Sequence, residues 1–150
     1  MKAFFDELKK DHKEVKDILD KLKTGSKTAE KTREKLFVQL KEELVPHLKA
    51  EESSFYQVLL DTKNGRQHAL EAKEEHDLTI MVFKQLEEIP AKEEIWGVKM
   101  KVLKDLVEHH IEEEEEEIFQ LAQKEIEKDD FKQIMQNFQK EKERIKNELS

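Results

Sequence analysis

Apolar residues recur in alternating steps of three and four along almost the whole chain, the spacing that lines one face of an α-helix. Phe5, Leu8, Val15, Leu19 and Leu22 form one such seam; Trp96, Met100, Leu103, Val107, Ile118 and Leu121 form another. Only three glycines and two prolines interrupt 150 residues. An all-β chain needs a turn roughly every 8–12 residues, so that class is excluded. Charged residues reach 43%, a level that accompanies disorder when apolar residues lack pattern. Here the pattern is regular, and the chain reads as a folded, all-α protein.

The breakers define five helical segments, expected at about residues 2–23, 28–60, 66–88, 92–124 and 129–149. Thr24-Gly25-Ser26 stops the first, Asn64-Gly65 follows the second, and Pro90 follows the third. Pro46 falls inside the second segment and predicts a bend just before His47. Connections of a few residues make consecutive helices antiparallel neighbours. The expected architecture is an up-down-up-down four-helix bundle with a shorter C-terminal fifth helix. With no linker or shift in composition, residues 1–150 read as a single domain.

Several function classes fall away on composition. A net charge of -8 argues against nucleic acid and anionic membrane as partners. The absence of cysteine excludes disulfides, iron–sulfur clusters, thiolate zinc sites and a cysteine nucleophile. Apolar runs are short, so neither a membrane span nor a signal peptide is visible and a cytoplasmic location is expected. Three glycines leave no phosphate loop, no His-Glu-x-x-His zinc motif occurs, and Ser53-Ser54 on a helix has no nucleophile elbow.

The histidines carry the functional signal. His12, His47, His76 and His110 replace apolar residues on the seams of four different helices, each near mid-length. Glu51 follows His47, and Glu114 follows His110, by four residues, so each carboxylate shares its histidine's face one turn on. The two stretches form a faint repeat: His47, Glu51, Phe55 and Tyr56 align with His110, Glu114, Ile118 and Phe119. A single seam histidine is usually a hydrogen-bonded core residue, but four in register with two glutamates are a costly arrangement for a core. Imidazoles and carboxylates converging on one level suit a pair of divalent metals, the carboxylates bridging and the imidazoles capping. His68 and His109 are read as non-ligands at a helix start and on a solvent face. In the run Glu112–Glu117 only Glu114 is expected to point inward; its neighbours, with Asp105 and Glu108, are read as a negative field. Ferritin-like Glu-x-x-His spacing is absent.

The order His12, His47-x-x-x-Glu51, His76, His110-x-x-x-Glu114 resembles the hemerythrin-like (HHE cation-binding) family over about residues 5–121. The flanks Lys-Lys-Asp-His12, Glu-Glu-His76-Asp and Glu-His-His110-Ile-Glu-Glu-Glu114 agree. The resemblance implies a non-haem centre of two iron ions, bridged by Glu51 and Glu114. His12 and His47 then serve one iron, His76 and His110 the other. It implies a metal-binding protein that meets dioxygen, peroxide or nitric oxide in stress response or sensing, with at most weak peroxide- or oxygen-consuming activity. Oxygen carriers of the family have a further histidine four residues beyond the third-helix one, and here that position is Ile80. They also use Asp at plus five in the last motif, where this chain has Glu114 at plus four. Both departures point to reaction or sensing over reversible carriage, with Ile80 expected to pack over the site. Two alternatives stand beside this reading: an iron donor or repair protein for damaged iron–sulfur centres, and a metal-free helical scaffold whose fifth helix docks a partner. Repair relatives usually carry an added cysteine-containing domain, and these 150 residues contain no cysteine.

Overall fold

The computed structural model describes residues 1–24 and 30–149, and every regular element among them is helical. We number the helices α1 (Lys2–Thr24), α2 (30–60), α3 (Arg66–Glu87), α4 (94–125) and α5 (Asp130–Leu149). These bounds fall within a residue or two of the expected ones, the usual uncertainty of a helix end. The expected stop at Gly25-Ser26 and start near Thr28 lie outside the described residues.

Two of the helices are not α-helical throughout. In α2, Glu30–Glu51 gives way to a π-helical turn at Glu52–Tyr56 before Gln57–Leu60. In α4, Glu94–Glu113 gives way to a π turn at Glu114–Ile118 before Phe119–Glu125. A π turn accommodates one extra residue per turn and rotates the face that follows it. Phe55 and Tyr56 close the first and are both buried, as are Ile118, which closes the second, and Phe119, which follows it. The faint sequence repeat is therefore a structural repeat. The backbone is α-helical through Pro46, and the π turn begins after Glu51.

The connection between α2 and α3 shows why one glycine is needed. Thr62 folds back onto Leu59 O, and its Oγ1 accepts the Gly65 N–H at 3.0 Å. A Cβ on Gly65 would lie 2.3 Å from that hydroxyl and 2.9 Å from the Leu59 carbonyl oxygen. Only glycine fits so close an approach.

The antiparallel up-down-up-down order is visible in how the core divides. One apolar cluster takes Phe4 and Leu8 from α1, Phe55 and Leu59 from α2, Ala69 and Ala72 from α3, and Ile118 and Ala122 from α4. The other takes Val15 and Leu19, Leu40 and Leu44, Phe83 and Leu86, and Leu103 and Val107 from the same helices. Each helix runs from one cluster to the other, in alternating directions. Between the clusters lies a buried polar layer holding His12, His47, Glu51, His76, His110 and Glu114. Each fully buried leucine or phenylalanine contributes about 1.5–3 kcal/mol, so two apolar halves hold this layer dry between them. Helix α5 adds Phe131, Ile134 and Phe138 to the first cluster and lies against α1 and α2. Among the described residues no helix is long and apolar enough to cross a membrane.

Candidate metal centre

Each of the six predicted side chains reaches the polar layer, with no more than 5% of its surface exposed. Ligand-type atoms of His12, His47, Glu51 and Glu114 lie within 4.8 Å of one another, as do those of Glu51, His76 and His110. The histidines thus fall into two pairs, and the carboxylates reach between them. Glu114 places Oε1 3.0 Å from His12 Nε2 and Oε2 3.3 Å from His110 Nε2. Glu51 Oε1 lies 3.4 Å from His47 Nε2 and 3.7 Å from His76 Nε2.

The imidazoles share one orientation. In all four, Nε2 faces the cluster and Nδ1 faces an outer carboxylate. His12 Nδ1 meets Glu115 Oε2 at 2.6 Å, His47 Nδ1 meets Asp11 Oδ2 at 2.9 Å, and His110 Nδ1 meets Glu75 Oε1 at 2.9 Å. His76 Nδ1 stands 3.7 Å from Glu52 Oε1, beyond hydrogen-bond reach. An ionised carboxylate can only accept, so Nδ1 donates in the three bonded cases, and the neutral form of each ring presents its Nε2 lone pair inward. Metal-bound histidines are oriented in this way, by a carboxylate on the far ring nitrogen.

The inner atoms are poorly served by the protein itself. His47 Nε2 and both Glu51 oxygens are buried with no hydrogen-bond partner, and His12 Nε2 and Glu114 Oε1, 3.0 Å apart, are not aligned as a hydrogen bond. Leaving one such group unpaired costs about 1–3 kcal/mol, and native proteins tolerate few. A concentration of them, all acceptors or nitrogen lone pairs, matches the donor set of a cation site. His76 Nε2 and His110 Nε2 are 2.9 Å apart. Two ligands at right angles, each about 2.1 Å from one metal, are separated by roughly 3.0 Å. The pair is spaced as neighbours on one ion.

Charge in the layer is distributed asymmetrically. Burial, reinforced by Glu114 beside it, pushes the Glu51 carboxyl well above its ordinary value. Burial acts on Glu114 as well, but the flanking His110 and His12 outweigh it and hold that carboxyl well below the usual range. His12 and His110 are held up in turn: burial opposes their charge, and Glu114 with Glu115 or Glu75 overcomes it. His76 is pushed well down by burial and by His110. These shifts favour the protonated forms of Glu51, His12 and His110, the ionised form of Glu114 and the neutral form of His76.

Reading the sequence missed five residues that complete this arrangement: Asp11, Glu52, Glu75, Glu115 and Tyr56. Sequence spacing places Glu115 in a general negative field, yet it holds His12. The π turn is the reason, because it begins at Glu114 and redirects the residues after it. Asp11 adjoins His12 in sequence but serves His47 on α2, a pairing that no spacing rule exposes. Tyr56 is buried, donates its phenol to Glu114 Oε2, and lies edge-on to His76 with ring centroids 5.7 Å apart. Its position at plus five from Glu51 was the available signal.

His109 is 71% exposed and pairs with Glu113 at 3.4 Å, and half-buried His68 stands outside the six-residue cluster. A cavity of about 10 Å³ beside the centre is lined by His12, His47, His110, Thr79 and the apolar Val15, Leu44, Leu48, Val107 and Ile111. Thr79 is buried and lines this cavity, whereas Ile80, expected to cover the site, is only half buried and outside the lining. The helix-three position that lines the cavity is plus three from His76, not plus four.

No curated protein and no solved structure matches the chain. Residues 3–122 match the family described as the hemerythrin HHE cation binding domain, a segment that spans all six clustered residues. The chain therefore belongs to the hemerythrin HHE cation-binding family, and its helical bundle is a cation-binding domain.

Proposed function

We propose that the centre holds two iron ions and responds to a small oxidant, dioxygen, peroxide or nitric oxide, by reaction or sensing. The observation that carries this reading is the common orientation of four imidazoles, split into two pairs, around two carboxylates that each face both pairs. In this assignment His12 and His47 would hold one ion, His76 and His110 the other, and Glu51 and Glu114 would contribute to both. Iron bound there would supply one-electron redox chemistry toward a small oxidant. The chain supplies the rest. Glu115, Asp11 and Glu75 fix the imidazole tautomers, and Tyr56 occupies one oxygen of Glu114 with a hydrogen bond. Apolar side chains from both clusters exclude bulk water. The adjoining cavity is about the size that holds one water, which limits entry to small ligands. Metal analysis and absorbance of the purified protein test the reading directly. About two irons per chain are expected; a protein that takes up none when offered ferrous iron anaerobically would return it to the scaffold class.

Metal uptake should release protons. Glu51, His12 and His110 have raised pKa values, which favour their protonated forms when no cation is bound. Those protons occupy the inward atoms and must leave when a cation binds. Affinity is therefore expected to rise with pH across the neutral range, with a slope that shrinks once these groups are deprotonated. Calorimetric titration in buffers of differing ionisation enthalpy reads the number released. A buffer-independent heat would contradict the protonation pattern.

Thr79 should control access. Thr79→Leu fills the cavity, and the rate at which the ferrous protein reacts with nitric oxide is expected to fall about tenfold, a barrier rise of about 1.4 kcal/mol. Metal content should stay at the wild-type value. Ile80→Ala, outside the lining, should leave the rate unchanged. The reverse ranking in stopped-flow measurements would move the entry path to the Ile80 side.

A further inference from the structure

The histidines of the centre draw their outer partners from different places. His12 and His110 are held by Glu115 on α4 and Glu75 on α3, within the bundle. His47 is held by Asp11, and Asp11 is held by α5: Lys142 Nζ donates to Asp11 Oδ1 at 2.6 Å, while Asp11 Oδ2 accepts from His47 Nδ1 at 2.9 Å. The Asp11 side chain is 3% exposed and that of Lys142 is 14% exposed, so this is an inner pair and not a solvated surface contact. One turn earlier on α5, Phe138 is fully buried and meets the His47 ring at 5.7 Å and 82°. Lys142 Nζ also lies 5.9 Å from the Phe138 ring centroid. Two residues on one face of α5 therefore act on the same imidazole, one by packing and one through a carboxylate. Helix α5 lies beyond the matched residues 3–122.

We propose that α5 is a positioning element of the metal centre, in which Lys142 fixes Asp11, and Asp11 with Phe138 aims His47 Nε2 into the cluster. The inference rests on the two-metal reading of the site. Its physical basis is the geometry of a carboxylate with one oxygen committed to each neighbour. With both oxygens engaged by charge-assisted bonds, Asp11 has a single rotamer that serves His47. Without Lys142, a buried carboxylate keeps one bond and loses the partner that locks its plane. The consequence should be local to the ion capped by His12 and His47. Loss of an outer partner of a metal-bound histidine typically lowers affinity by about 10–100-fold.

The test uses the full chain and its Lys142→Met, Lys142→Arg and Asp11→Asn variants. Methionine keeps an apolar stem against Phe138 and removes the charge. Anaerobic titration with ferrous iron against a competing chelator should resolve two binding steps in the wild type. Lys142→Met is expected to weaken one step by about tenfold and leave the other in place. Lys142→Arg should restore it, and Asp11→Asn should weaken the same step at least as much. In the metal-free protein, nitrogen-detected NMR of the histidine rings should show the His47 signals shifted in Lys142→Met and those of His110 unmoved. Wild-type affinity at both steps, or unchanged His47 ring signals, would overturn the role of α5 while leaving the metal centre intact. Equal weakening of both steps with a lower metal-free melting temperature would also overturn it, as simple destabilisation. A wild type that binds no iron would instead overturn the two-metal reading itself.

Discussion

Stripping metal from the loaded protein is expected to lower its melting temperature by roughly 5–11 °C, and iron should restore it. A ligand bound only by the native state stabilises it by about 2.7 kcal/mol at a hundredfold excess over Kd. For a chain of about this size, 1 kcal/mol moves the transition by about 2–4 °C. The metal-free protein has a specific weakness for the ion to relieve: Glu51 is fully buried, and neither oxygen has a hydrogen-bond partner. Burial and the neighbouring Glu114 push the pKa of that carboxyl well above its ordinary value, which disfavours its charged form. Glu51→Leu removes the orphaned group and fills its space with apolar atoms. The variant should be more stable than the metal-free wild type by about 1–3 kcal/mol, and its melting curve should no longer respond to iron. The opposite signs are the point of the experiment. A residue kept for stability would weaken the metal-free protein when replaced; one kept for a cation strengthens it. Differential scanning calorimetry on verified metal-free and loaded samples decides the matter, and identical curves for the two wild-type forms would exclude a buried, stabilising site.

The fold was legible because helices report themselves locally. Seams such as Leu8, Val15 and Leu19 carry the period of the helix, and Asn64-Gly65 and Pro90 punctuate it. The six inward side chains were legible for the same reason, since each occupies a seam position where an apolar residue belongs. What was not legible depends on contacts between helices and on departures from α geometry. The π turn at Glu114–Ile118 made Glu115 a partner of His12, against the expectation from an ideal helix. The choice of Thr79 over Ile80 at the cavity follows from how α3 is rotated against its neighbours, which sequence spacing of three or four does not resolve. Lys142 lies 131 residues from Asp11, and no local pattern joins them.

Glu114→Gln should cost both metal positions together, which is the strongest statement the site geometry makes. The two oxygens of Glu114 face different histidine pairs, Oε1 toward His12 and Oε2 toward His110. An amide keeps the size of the side chain and can still accept the Tyr56 hydrogen bond. It supplies no negative charge and only one oxygen, so it cannot serve two ions. The loss at each position should exceed the roughly 10–100-fold that follows removal of an outer partner. The neighbouring glutamates grade the test. Glu115→Gln removes only the carboxylate on His12 Nδ1 and should weaken one position within that range. Glu113, which pairs with exposed His109, and Glu116, which is exposed, should tolerate the same change with full iron content. Anaerobic ferrous titration of the four variants, each checked for an unchanged helical spectrum, supplies the ranking. Equal losses from all four would mean that the acidic run attracts cations as a diffuse charge, and the ordered centre would have to be abandoned.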